Sequence, residues 1–215
     1  MDECLILYLR WLDSLLSAPS CTLQAKIIIY DTLRIFYNDV RTNLAEEILS
    51  TDKHCLEATS KFYMLVFNFL TGAVKKPSCY KRYVNASLFI ETFEKNDELV
   101  TLYRISCNKR KFKTNCSLTD KNIHKLEARM LLEYERGNIE RGNLIFRILT
   151  NFGDICNPVM DSVYRKLLSK QNPIGFWGAY SKSKFTNKEI ESLLNIGFGT
   201  LSTLKEYKES DFCLF

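Results

Sequence analysis

The side chains that carry most protein chemistry are thinly supplied in this chain. It has two histidines, His54 and His124, and eight cysteines, at positions 4, 21, 55, 79, 107, 116, 156 and 213. The cysteines are widely scattered and include no Cys-x-x-Cys pair, which argues for buried free thiols rather than a disulfide framework or a zinc site. His54 and Cys55 are neighbours, so in either regular element they point to opposite sides and do not converge on one metal ion. No glycine-rich phosphate loop, nucleophile elbow or histidine–carboxylate motif is present. The expectation is a protein that is not an enzyme, with no catalytic residue, no metal, no cofactor and no small-molecule substrate.

What the sequence offers instead is recognition by shape. Arg141-Gly142-Asn143-Leu144-Ile145-Phe146-Arg147-Ile148-Leu149 reads as a buried helix entered through a glycine, where another backbone can approach closely. Gly175-Phe176-Trp177-Gly178-Ala179-Tyr180 reads as an aromatic helix start, with Trp177 and Tyr180 three residues apart on one face. Together they point to a peptide-binding bundle.

Composition sets the frame for that reading. The chain has 215 residues, 46% apolar and 26% charged, with 13% aromatic and a net charge of +5. That suits one well-buried domain over 1–215 rather than two full domains or a disordered chain. No stretch approaches the roughly 20 apolar residues that span a bilayer, and the acidic Asp2-Glu3 start does not fit a signal peptide. A cytoplasmic protein without a transmembrane anchor is expected, with a peripheral place at mitochondria as a second option. The densest basic patch, Asn108-Lys109-Arg110-Lys111-Phe112-Lys113, reads as a solvated loop more readily than as a phosphate site.

The periodicity is mostly helical. Leu5, Leu9, Leu12, Leu15 and Leu16 form a stripe from Glu3 to Ser17, ending at Ala18-Pro19. A second run, Thr22 to about Leu49, sets Ile29, Leu33, Phe36, Val40, Leu44 and Ile48 on one face, with room for an internal bend. Phe62–Leu70, closed by Gly72 and Pro77, reads as a helix buried nearly all round.

Residues 78–118 have a different texture and are expected to be an insertion. Within it, Ser87–Phe93 and Leu99–Ile105 flank a polar break as either a hairpin or two short helices. Ser117 or Thr119 is placed to cap Ile123–Tyr134, and Gly137 interrupts or ends that helix. Leu144–Phe152 follows, then Val159–Ser169, opened by Pro158 and stopped by Pro173. Thr186 caps Lys188–Leu194, and Gly197-Phe198-Gly199 separates this from a last helix, giving two C-terminal helices over 186–209.

At this point a resemblance becomes visible. Ile29-x-x-x-Leu33-x-x-Phe36-x-x-x-Val40, with Arg34 after the leucine, resembles the third homology region of the B-cell lymphoma-two (Bcl) family of apoptosis regulators. Glu140-Arg141-Gly142-Asn143-Leu144-Ile145 resembles the family's Asn-Trp-Gly-Arg region, and Gly175–Tyr180 resembles its Gly-Gly-Trp-Asp-Ala-Phe region. The order of the three is the family's order, and the resemblance covers about half the residues. Helix one, with Tyr8 and Trp11, is similar to the opening helix of these proteins and of their poxvirus relatives. There are departures: Asn143 stands where the family has its partner-pairing arginine, and Tyr37-Asn38 stands for Gly-Asp.

The resemblance implies an all-α, Bcl-like bundle around a central apolar helix, with a groove that captures amphipathic helices of pro-apoptotic partners and so inhibits apoptosis. The groove residues it implies are Leu131, Leu132, Tyr134, Arg141, Gly142, Asn143, Phe146, Trp177 and Tyr180. Homodimerisation is a further option. One alternative keeps the fold: a tail-less viral Bcl-like protein that masks host innate-signalling adaptors. A weaker one takes Thr186–Lys205 as a helix-turn-helix that binds nucleic acid, although Glu206 and Glu209 on its second helix would make phosphate attraction feeble.

Overall fold

The computed structural model describes residues 2–19, 21–51, 58–73, 97–112, 117–152, 158–178 and 185–209. Among these residues there is no strand. The all-α expectation therefore holds, and the described residues divide into two units.

The first unit holds the described residues up to 73, with 172–176 and 185–195. Helix α1 (Asp2–Leu16) buries Tyr8, Trp11 and Leu12 most deeply. The leucines at 5, 9, 15 and 16 of the expected stripe are only half-buried, because an aromatic pair occupies the innermost positions. Helix α2 (Leu23–Thr32) begins at Thr22, whose hydroxyl accepts from the Ala25 N–H and so satisfies one of the open donors of the first turn. It buries Ala25 and every residue from Ile27 to Thr32, so it is the core rod of this unit rather than a one-faced helix. Helices α3 (Thr42–Leu49) and α4 (Ala58–Leu70) pack against it. The Tyr30 and Phe67 rings meet edge to face at 5.1 Å.

The second amphipathic run is not one helix. After α2 the chain widens into a π-helical segment, Leu33–Tyr37, which ends at Asn38 in the left-handed region with φ 51°. Asparagine tolerates that conformation better than most residues. The Tyr37 hydroxyl donates to the Leu5 carbonyl at 2.5 Å, fixing the end of the wide turn onto α1. Residues 38–41 are non-helical before α3 starts. The apolar face thus stops at Phe36, and Val40 is 55% exposed. Helix α4 also departs from expectation: Met64, Val66 and Phe67 are buried, but Leu65 is half exposed.

The second unit holds the described residues from 97 to 171, with 177–178 and 196–209. It contains α5 (Glu98–Phe112), α6 (Asp120–Glu135), α7 (Ile139–Phe152) and α8 (Pro158–Ser169). Of the two readings of Leu99–Ile105, helix is correct, and Asn108–Phe112 continues that helix instead of forming a loop. Ser87–Phe93 and Lys113 lie outside the described residues. Thr119 holds the N-cap position of α6, without a side-chain capping bond.

Helix α6 ends in a tight C-cap. Gly137 has φ +79°, and the Gly137 and Asn138 N–H groups donate to the Tyr134 and Glu133 carbonyls. Just beyond this turn α7 begins, and it packs along α6 and α5. It buries every residue from Gly142 to Leu149, and Asn151 and Phe152 as well. It is the inner helix of this unit. Helix α8 presents Met160, Val163 and Leu167 to the core, an i, i+3, i+7 pattern.

Two expectations for the C-terminal region are corrected. Residues 171–178 form turns rather than a helix start: the Gly175 N–H donates to the Asn172 carbonyl at 2.7 Å, and the Asn172 N–H to the Phe176 carbonyl at 2.8 Å. The second correction concerns Gly197-Phe198-Gly199, which breaks nothing. Helix α9 runs uninterrupted over Asn187–Glu209, so no helix-turn-helix exists there and the nucleic-acid reading loses its motif. Thr186 and Glu189 form a reciprocal capping box at its start.

Candidate partner-binding site

The inner helix α7 carries polar side chains at 143, 147 and 151, steps of four that place them on one stripe. Each is buried and each makes at least one side-chain hydrogen bond. The Tyr134 hydroxyl donates to Asn143 Oδ1 at 2.9 Å, and Asn143 Nδ2 donates to the Thr200 hydroxyl at 3.0 Å. The Arg147 guanidinium grips the Glu206 carboxylate through two nitrogens, one of them 3.0 Å away, and lies over the Tyr103 ring. Asn151 Nδ2 donates to the Ser106 hydroxyl at 3.3 Å, and its Oδ1 accepts from Arg110. The seam therefore ties α7 to α5, α6 and the later part of α9. Burial raises the Tyr134 phenol well above its ordinary range and pushes the Tyr103 phenol and the neighbouring Cys107 thiol up as well.

At its first turn α7 presents Arg141. Its Nη2 donates to Asp97 Oδ2 at 2.8 Å, and Glu133 Oε1 lies 3.6 Å from its Nε. Asp97 stands one residue before α5 and accepts from the Leu99 N–H at 2.8 Å. The arginine is thus held beside the start of α5, charged and a third exposed.

Next to this pair a furrow runs between α5 and α6. It is lined by Leu102, Leu118 and Leu126 together with Glu98, Asn122, Lys125 and Arg129. Its volume of about 90 Å³ is well below the roughly 300 Å³ at which small-molecule pockets begin. A shallow, leucine-containing trench suits side chains projecting from another element better than a metabolite. A larger open cleft, about 410 Å³, lies in the first unit around Leu16, Val40, Arg41 and Leu44. There Arg41 is engaged by Asp13 and Asp39.

The residues expected to form a groove are distributed differently. Tyr134, Gly142 and Asn143 do come together: a Cβ added at Gly142 would stand 2.5 Å from the Tyr134 ring. All three are buried, as is Phe146, whose ring meets Tyr207 at 5.1 Å. Trp177 is fully buried, and its Nε1–H donates to the Leu167 carbonyl at 3.0 Å. Leu131 and Leu132 on α6 are exposed and are not part of the furrow lining. Tyr180 lies outside the described residues. Ile29 and Leu33 are buried in the first unit and Phe36 is half-buried.

The furrow residues were not legible beforehand, since Leu102, Leu118 and Leu126 come from separate segments whose closeness only the fold reveals. The seam did leave a signal, in the four-residue spacing of Asn143, Arg147 and Asn151 along an apolar helix.

Among the described residues no group of histidine, cysteine and acidic side chains could hold a metal ion, and His124 faces Glu127 within α6. Among them, too, no helix is long and apolar enough to cross a membrane. No protein-family model, curated protein or solved structure matches this chain.

Proposed function

We propose that this chain is a cytoplasmic Bcl-like interaction module that captures an amphipathic helix of a pro-apoptotic partner. The observation that carries the reading is the pairing of an inner helix, α7, with a leucine-containing furrow whose lining residue Glu98 follows Asp97, the ion-pair partner of Arg141. The motif order noted in the sequence supports it independently.

The energetics fit a helix-in-groove mode. Three apolar side chains of a guest helix, buried against Leu102, Leu118 and Leu126, contribute roughly 4.5–9 kcal/mol in gross terms. Association costs on the order of 4 kcal/mol or more must be subtracted. The balance supports modest affinity, and a charge-assisted bond from Arg141 to a guest carboxylate supplies the rest. Asp97 and Glu133 share that arginine in the free protein, so the guest competes with them.

Calorimetric titration with a panel of amphipathic death-ligand peptides tests the proposal. Micromolar or tighter binding to at least one peptide is expected, weakened by Arg141→Ala and by Lys125→Glu/Arg129→Glu in the furrow lining. Silence across the panel overturns it.

A second reading rests on Leu131 and Leu132, two exposed leucines on α6 outside the furrow. They suit a surface that masks host signalling adaptors. Capture of an adaptor that Leu131→Glu abolishes, together with silence from the peptide panel, would favour this role.

A further inference from the structure

Helix α5 has an outward face that the furrow does not use. Arg104, Asn108 and Lys111 are exposed at steps of four and three, and Thr101, Ile105 and Phe112 lie alongside them. At about 100° per residue all six fall within an arc of roughly 120°. Ile105 is 40% and Phe112 63% exposed, the latter the most exposed large apolar side chain among the described residues. The Lys111 ammonium stands over the Phe112 ring, 5.1 Å from its centre. The one acidic residue of the helix is Glu98 at its first position, where it lines the furrow. Lys109 and Arg110 turn toward α7, where they bond the Phe152 carbonyl and Asn151.

We propose that this face of α5 docks on an anionic lipid bilayer, with Arg104 and Lys111 at the headgroup phosphates and Ile105 and Phe112 entering the acyl boundary. A helix lying in the plane of a membrane needs this combination of cations beside large apolar groups. A nucleic acid fits less well. Phosphate contacts by only two face cations give weak binding, and an isoleucine and a phenylalanine gain little along a sugar-phosphate backbone. The charge and the apolar area together select the bilayer. The proposal is independent of the furrow.

The test is co-sedimentation of the full chain with phosphatidylcholine vesicles doped with phosphatidylserine, against pure phosphatidylcholine, over a salt series. Binding to the doped vesicles alone is expected, falling as salt rises. Each headgroup cation is worth about fivefold, so Arg104→Glu/Lys111→Glu lowers binding by at least about 25-fold, with circular dichroism unchanged. In Phe112→Trp, indole emission moves to the blue on adding doped vesicles. Equal binding to both vesicle types, no binding to either, or indifference to the double reversal overturns the proposal. So does tighter binding to an oligonucleotide at the same salt, or self-association through Phe112 as the only change that Phe112→Ser removes.

Discussion

The ring of Tyr134 lies against the backbone of Gly142, so close that a methyl group at 142 would stand 2.5 Å from Cε1. The ring cannot simply swing aside, because its hydroxyl is tied to Asn143 in the core. Gly142→Ala gains up to about 1 kcal/mol in helix propensity. The overlap costs more, about 1–3 kcal/mol, so net destabilisation is expected in urea unfolding. Tyr134→Ala in the same chain should remove the clash, making the two substitutions non-additive. A Gly142→Ala protein as stable as the parent would contradict the packing.

Arg147 depends on Glu206. The Arg147 side chain is 10% exposed, and that of Glu206 is 25% exposed. Removing the partner of a buried charge costs about 3–5 kcal/mol. The partial exposure of Glu206 puts Glu206→Ala nearer the lower end. Arg147→Met/Glu206→Leu, which removes both charges, should recover most of the loss. Equal stability of the single and double variants would contradict this account.

Gly175 packs its backbone against α1. Its φ is +120°, and a Cβ there would meet the Leu7 carbonyl oxygen at 2.2 Å. Backbone cannot yield as a side-chain tip can, so Gly175→Ala is expected to cost about 3 kcal/mol or more through strain and overlap. Thermal melting followed by tryptophan fluorescence checks it, since Trp11 packs against Phe176 next door.

Alkali should unfold the protein through its buried phenols. Tyr8 and Tyr134 are raised well above their ordinary range by burial, and Tyr37 and Tyr103 are raised in the same direction. Below about pH 10 these groups are neutral in both states, and their contribution is intact. Above it the unfolded chain releases the protons first while the native chain holds them. The unfolded state then binds fewer protons, so stability falls as pH rises. Urea midpoints should be flat to about pH 9 and then decline. Tyr134→Phe loses about 1 kcal/mol near neutrality but shows a shallower alkaline decline.

Much of the helical content was legible because the local signals agreed. Thr186 caps where the sequence places it, and α7 and α8 follow their apolar spacing. The misses have physical causes. Two glycines inside α9 cost roughly 2 kcal/mol in propensity, but burial of Leu193, Leu194, Leu201 and Leu204 outweighs that and carries the helix through. The widening at Leu33–Tyr37 leaves no signal in a pattern that counts apolar residues at helical steps. Arg141 stood out in the sequence as a cation beside the glycine, but its partner Asp97, 44 residues away, did not. The furrow depends on the same kind of long-range meeting.

The polar seam of α7 also acts as a register lock. Sliding or rolling that helix by one residue would turn Asn143, Arg147 and Asn151 together by about 100° into hydrocarbon, and no neighbouring rung could compensate for another. Apolar side chains alone would forgive such a slip, since one greasy contact replaces another. With α7 pinned on three sides, any widening of the furrow has to come from α5 and α6 parting around a fixed axle.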